Sequence, residues 1–375
     1  MGGVDFYRHS LSPDILSGLG EVLQSRFLTT GPVTGEFERQ FAAYLQLPEA
    51  VGVMSGTGAL HLALLALGVG NGDEVITTPL SYVATAHAIC YTGATPQFVD
   101  VEPDTGNIDS ALLSEAITPR TKVIVPVHLY GQMCDMVAIR EVADAHGLAV
   151  LEDACHAVEA RCDGLQPGHT GDAACFSFYA TKNLTSGEGG AVATRSSELA
   201  ERLRRLRNFG VSKAVGERHG QPYEHYDVLE LGWKCNMNDL QAALLLGQME
   251  EIETRLRRRE EIAQRYEAAF ADLPGIGLPA VRPENRSARH LFTIWVEPSI
   301  RDDTLWRLQT MGIGVAVNYR PIHLMAYYRT RFGYQPGTFP NAEAIGQRTV
   351  TLPLYPGLTD VEVDRVIEAV RKVAC

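Results

Sequence analysis

The sequence predicts an α/β fold: a large domain with a mostly parallel central sheet flanked by helices, plus a smaller C-terminal α+β domain. Three observations carry this reading. Between about residues 50 and 195, short apolar runs alternate with segments of helical period, as in strands joined by crossover helices. The break Leu273-Pro-Gly-Ile-Gly277 is followed by a different pattern. With 375 residues, the chain has room for two cores.

The elements follow in order. Residues 50–54 read as a strand and 57–67 as a helix, then 74–78 as a strand and 82–91 as a helix. Residues 97–101 are a strand, 110–117 a helix, 122–127 a strand, 137–146 a helix and 148–152 a strand. Strands at 173–178 and 190–194 precede a basic helix at 198–207. One long helix is expected over 237–270, with Asn238 and Asp239 at its start. Its charged middle (Arg255, Arg257, Arg258, Arg259) reads as a solvated face or interdomain spacer with i,i+4 pairs. Beyond the break come a strand at 291–296, a helix at 304–310, a strand at 314–317 and a helix at 360–373. Residues 1–248 are read as the large domain, with the N-terminal segment packing on the small one. Residues 249–375 supply the long-helix connection and the small domain.

Composition narrows the class. The formal net charge of −12 argues against nucleic acid as a partner. An anionic substrate must therefore be held by local cations and backbone N–H groups. No run of about 18 apolar residues is present to span a membrane. The start of the chain lacks a charged segment followed by an apolar block, and the seven cysteines form no CxxC pair. Together these predict a cytoplasmic protein with reduced thiols. Cys155, His156 and Cys162 lack the paired close spacing usual in zinc sites, so no metal is expected.

Three parts carry chemistry. Ser55-Gly56-Thr57-Gly58-Ala59 joins a strand to a helix, where small residues and free N–H groups suit a phosphate. A plain tight turn would use the same residues. GxGxxG and GxxxxGK[ST] motifs are both absent. Asp153 falls at the carboxyl end of a strand, the edge where open α/β sheets bind ligands. Its neighbour Glu152 competes for the role, but a strand turns the two side chains to opposite faces. Lys182 follows the apolar run at 173–178 and precedes Ser186-Gly-Glu-Gly-Gly190, a setting that lowers an amine's pKa by desolvation. In this order the parts fit pyridoxal 5'-phosphate (PLP): lysine for the aldehyde, carboxylate for the ring nitrogen, turn for the phosphate. Ser177 is placed to reach the phosphate. Tyr82 is placed to stack on the ring, or to sit in the core. His156 lies near the ring, or is structural.

These residues resemble the sugar aminotransferases of the DegT/DnrJ/EryC1/StrS family. The resemblance runs through Phe27-Leu-Thr-Thr-Gly31-Pro32, Ser55-Gly56-Thr57, Glu152-Asp153-Ala-Cys-His156, Phe176-Ser177-Phe178-Tyr-Ala-Thr-Lys182-Asn183, Gly187-Glu188-Gly189-Gly190 and Met237-Asn238-Asp239. It implies PLP-dependent transferase fold type I and a homodimer with shared active sites. Lys182 would bond the cofactor and Asp153 its ring nitrogen. Thr57, Gly58 and Ser177 would hold the phosphate. Tyr82 would stack on the ring and His156 lie beside it.

Gly232-Trp233-Lys234-Cys235-Asn236-Met237 departs from the common Gly-Tyr-Asn-Tyr-Arg-Met, so Lys234 and Asn236 are alternative contacts to the partner subunit's phosphate. That variant resembles members acting at C4 of a nucleotide-linked 4-keto sugar. Members acting at C3, and a non-enzymatic regulator that binds PLP or a sugar nucleotide, are the alternatives. Resembling dehydratases carry histidine where Lys182 stands. The implied substrates are a nucleotide sugar and L-glutamate. Arg26, Asn183, Tyr319, Arg320 and His323 are the candidates to line the sugar groove.

Overall fold

In the computed structural model, which describes residues 2–13, 15–212 and 225–374, the chain opens with helices α1 (Ile15–Gln24) and α2 (Pro32–Tyr44). An alternating stretch follows: β1 (Glu49–Val53), α3 (Gly56–Ala66), β2 (Glu74–Thr77), α4 (Ala84–Tyr91), β3 (Thr95–Phe98), α5 (Leu113–Ala116), β4 (Thr121–Val125), α6 (Met136–His146) and β5 (Ala149–Asp153). Next come β6 (Arg161–Cys162), β7 (Ala173–Ser177), β8 (Gly190–Thr194), α7 (Ser197–Leu206), α8 (Asp239–Met249) and α9 (Ile252–Phe270). The last part holds β9 (Asn285–Arg286), β10 (Phe292–Trp295), α10 (Arg301–Thr310), α11 (Ala326–Phe332), α12 (Pro340–Arg348), β11 (Thr349–Leu352) and α13 (Asp360–Ala374).

Seven strands form one sheet in the order β1-β8-β7-β5-β4-β2-β3. All neighbours pair in parallel except β8, which is antiparallel to both β1 and β7. Both faces are buried, so side chains alternate between two cores. Ile124, Val150, Ala174 and Phe176 join Phe37, Phe41 and Leu245 on one face. Val123, Leu151, Ala173 and Cys175 join Leu60, Leu62 and Leu203 on the other.

A third core gathers Tyr266, Phe270, Ile294, Val350, Val366 and Val370 around the hairpin-like pair β10–β11. Val4 is buried in it and bridges to Ile313, so the N-terminal segment is tied to the C-terminal core. A fourth cluster, including Leu80, Phe98 and Tyr130 with Trp295 and Tyr328, joins the two parts.

Several expected elements change. The helix expected over 237–270 is two helices, α8 and α9, which break at residues 250–251. Residues Ala242, Leu245 and Met249 pack on the sheet layer, whereas Ile262, Ala263, Tyr266 and Phe270 pack in the C-terminal core. The helix must shift its buried stripe between two cores, and the break itself falls at Glu250 and Glu251, with Gly247 one turn before it. Its charged run is not a solvated face throughout: Arg255 and Arg259 are buried, and Arg259 pairs with Glu159. Residues 314–317 are not a strand. Gly314 N donates to Val4 O at 2.8 Å, and Ala316 makes a single bridge to Thr351. The helix expected at 110–117 is a tight turn over residues 110–112 followed by α5.

Candidate active site

Asp153 ends β5, and alternation turns it to the α3 side of the sheet while Glu152 faces the other way. Glu152 is spent there: it accepts from Gly168 N at 3.0 Å and Gly171 N at 2.7 Å, and its Oε2 lies 2.8 Å from His128 Nε2. Asp153 Oδ2 accepts from Thr85 Oγ1 at 2.7 Å, and Oδ1 accepts from Cys155 N at 3.2 Å. Each oxygen retains a lone pair for a further donor.

Lys182 lies just beyond β7, in the loop that returns to β8. It is partly buried, and burial lowers its amine pKa; the nearby Cys155 and Asp153 act in the opposite direction. Its Nζ makes no ion pair or side-chain hydrogen bond among the described residues. The Cys155 thiol beside it is pushed well up, first by burial and then by Asp153, so it stays protonated.

The glycine turn is built into the same edge. Ser55 caps α3 by accepting from Gly58 N at 3.0 Å, so in this form that N–H is already engaged. A Cβ on Gly56 would come 2.7 Å from Ser177 Cβ and 3.1 Å from Cys155 Sγ. A Cβ on Gly190 would lie 2.4 Å from the Ser55 carbonyl carbon. These glycines let β7, β8 and the turn meet, which brings Ser177 against the start of α3 where Thr57 sits.

Tyr82 is 61% exposed just ahead of α4, with its ring 6.2 Å from that of Tyr319. Tyr319 Oη lies 3.1 Å from His156 Nε2, and the two rings stack at 6.0 Å with 10° between planes. His156 Nδ1 is buried without a partner. Burial first, then the charge of Lys182, hold the His156 pKa well below the ordinary value, so the ring is neutral. The structure therefore gathers Lys182, Asp153, His156, Ser177, Thr57, Gly58, Tyr82 and Tyr319 at one sheet edge.

Other expected residues stand elsewhere. His323 is 0% exposed, its Nε2 2.9 Å from Glu343 Oε1 and its ring packed on Phe339. That corrects its place in a sugar groove: it is a core histidine. Asn183 is turned inward, its Nδ2 donating to Glu159 Oε2 and to Ala288 O, both at 2.9 Å. Those contacts, and its Oδ1 on His290, use the side chain within the protein. Arg26 and Arg320 are exposed.

Asn236 donates to Thr29 Oγ1 at 2.9 Å and Thr30 Oγ1 at 2.5 Å, which holds it within its own chain. Lys234 is exposed, with Nζ 5.7 Å from the Phe209 ring centroid. Both flank Cys235, whose carbonyl accepts from Met54 N at 2.8 Å next to the phosphate turn.

Sequence reasoning missed Thr85, His290, Glu159 and Arg259. A glutamate inside Ala157-Val-Glu159-Ala was the available signal, since a charge in an apolar run needs a buried partner. A cavity of about 510 Å³ between α1, α2 and α8, whose lining includes Ile15, Val22, Val33, Ala243 and Leu246, lies apart from this edge. Among the described residues no cluster of three or more His, Cys, Asp or Glu suits a metal, and no helix is long and apolar enough to cross a membrane.

The edge suits PLP on its own terms: an unengaged lysine amine, a carboxylate with free lone pairs, an unpartnered buried imidazole nitrogen, and a turn where a Cβ would clash. The profile of the DegT/DnrJ/EryC1/StrS aminotransferase family matches residues 10–371. The chain belongs to this family. The aminotransferase is 47% identical to the spore coat polysaccharide biosynthesis protein SpsC of Bacillus subtilis (strain 168), over 94% of this chain and 92% of that one.

Among solved structures it resembles S. venezuelae DesV in complex with a ketimine intermediate (41% identity, TM-score 0.89, covering 96% and 94% of the two chains). It also resembles Helicobacter pylori PseC, an aminotransferase involved in pseudoaminic acid biosynthesis (30%, TM-score 0.92, 99% of each chain). A Streptococcus pneumoniae relative solved in PLP form matches at 32% and TM-score 0.92, covering 99% and 98% of the two chains. The fold is that of PLP-dependent fold type I aminotransferases, and PLP is the cofactor of this enzyme.

Proposed function

We propose that this aminotransferase moves the amino group of L-glutamate to a nucleotide-linked keto sugar, a 4-keto hexose, in the cytoplasm as a homodimer with shared sites. The observation that carries the reading is the unengaged, partly buried amine of Lys182 at the same sheet edge as the oriented carboxylate of Asp153. The saccharide is supported by the relatives: SpsC is named for a polysaccharide and the S. pneumoniae relative for a sugar.

Asp153 would hold the cofactor's ring nitrogen and keep it protonated. At ~3 Å, opposite unit charges attract by roughly 5 kcal/mol at an effective dielectric of about 20, before desolvation. Thr57, Gly58 and Ser177 would hold its phosphate, with the Gly58 N–H exchanging the Ser55 hydroxyl for an anion. Tyr82 would cover one ring face, and the bare Nδ1 or Tyr319-bonded edge of His156 would lie near the ring. When bound, PLP supplies the electron sink for a carbanion next to nitrogen.

The protein supplies the proton transfer. Lys182, whose amine pKa burial lowers, takes the proton from the donor's α-carbon and later returns one as acid. Of the two alternatives, the exposed Lys234 is the one to reach across a dimer, because Asn236 is held by Thr29 and Thr30. Arg26, Arg320 and Tyr319 remain as contacts for the sugar nucleotide.

The test is incubation of the PLP-loaded enzyme with glutamate and a panel of 4-keto and 3-keto nucleotide sugars, with products identified by mass and NMR. A 4-amino sugar formed with equal 2-oxoglutarate supports the proposal. Amination at C3 alone would correct the carbon. Failure with every keto sugar would overturn the substrate class.

A further inference from the structure

A polar chain that the reaction above does not use runs under Lys182. Arg259 and Glu159, 1% and 0% exposed, form an ion pair. Glu159 Oε2 accepts from Asn183 Nδ2 at 2.9 Å, and Ala288 O accepts from the same nitrogen at 2.9 Å. Both partners are acceptors, so the orientation of the Asn183 amide is fixed. Its Oδ1 then faces His290 Nδ1 at 3.1 Å.

An amide oxygen only accepts. His290 Nδ1 must therefore carry the proton, and a neutral ring leaves Nε2 as a bare lone pair. The ring packs against His156, with centroids 4.5 Å apart and 31° between the planes. His290 also lines a cavity of about 70 Å³ together with Lys182, Tyr7, Thr181, Asn318 and Tyr319. Burial first, then the charge of Lys182, keep His290 neutral.

We propose that His290 is a positioning residue whose unprotonated Nε2 accepts a hydrogen bond from the Lys182 amine when that amine turns into the cavity the two residues share, its tautomer held by the Arg259–Glu159–Asn183 chain. This deepens the reading of Lys182 as the cofactor lysine and rests on it. An acceptor there stabilises the ammonium over the amine and fixes where it points, which a proton-carrying lysine needs. The other groups facing Lys182 are Asp153 and Cys155, which act on its charge, and His156, which is neutral. The Tyr7 and Tyr319 hydroxyls are held protonated by burial.

Two measurements on the apoprotein test this without any sugar. First, nitrogen NMR of histidine-labelled protein, assigned by loss of one signal in His290→Gln, should show Nδ1 protonated and Nε2 bare. Second, the pH midpoint for acylation of Lys182, followed by peptide mass spectrometry, should fall by about one unit in His290→Leu. His290→Gln, whose amide oxygen can replace the Nε2 acceptor, should restore it. A proton found on Nε2, or a folded His290→Leu with an unchanged midpoint, overturns the proposal. If His290→Leu does not fold, the tautomer spectrum of the native protein decides. Borohydride trapping of PLP on Lys182 separately tests the reading on which the proposal rests.

Discussion

Thr85 Oγ1 donates a 2.7 Å hydrogen bond to Asp153 Oδ2. The first turn of α4 thereby aims a carboxylate at the end of β5, two elements brought together by the sheet. Hydrogen bonds to charged groups are worth about 1.5–3 kcal/mol. Thr85→Val keeps the shape and removes the donor. It should weaken PLP binding about tenfold while leaving the fold intact. Absorbance titration of apoprotein with PLP, beside a thermal melt, checks both.

Gly56 and Ser177 meet where no side chain fits. Gly56→Ala would place a Cβ 2.7 Å from Ser177 Cβ, and such overpacking costs about 1–3 kcal/mol. The variant should melt lower and bind PLP at least tenfold more weakly. A matched Gly70→Ala, where nothing lies within 4 Å, should leave PLP affinity unchanged.

The depressed pKa of Lys182 sets a sign for apoprotein stability. Burial lowers it, so the unfolded chain binds more protons between the folded value and the ordinary lysine value of about 10.4. Stability from this group therefore rises with pH across that window. Lys182→Met should make the apoprotein more resistant to urea at pH 7, and the gap from the native chain should narrow by pH 9.5. A gap that widened with pH would contradict the burial of this amine.

Glu159 and Arg259 pair out of water. Removing one partner strands the other, at about 3–5 kcal/mol. Glu159→Gln and Arg259→Met should each lower the melting temperature strongly. The double variant should lose less than the sum of the two, as thermal melts of all four proteins would show.

His323 and Arg320 lie close in sequence yet differ in place. His323→Gln should lower thermal stability through Glu343 and leave KM for the sugar nucleotide nearly unchanged. Arg320→Ala should raise that KM with little effect on stability. The opposite split in steady-state kinetics would return His323 to the groove.

The strands around Asp153 and Lys182 were legible because a sheet buried on both faces leaves continuous apolar runs, and a polar residue at the end of such a run stands out. The break between α8 and α9 was not legible: both helices have good helical sequence, and only the existence of two cores divides them. His323 misled for a related reason. A histidine two residues after a proline reads as a loop residue, and nothing local reveals Glu343, Phe339 and Tyr334 closing over it. Thr85 and His290 were invisible because their partners lie 68 and 107 residues away.

The most direct measurement is borohydride reduction of the PLP-loaded enzyme, followed by peptide mass spectrometry. The account predicts one pyridoxyl adduct, on Lys182, absent after Lys182→Ala. An adduct on Lys234 or another lysine, or none from a yellow holoenzyme, would contradict it.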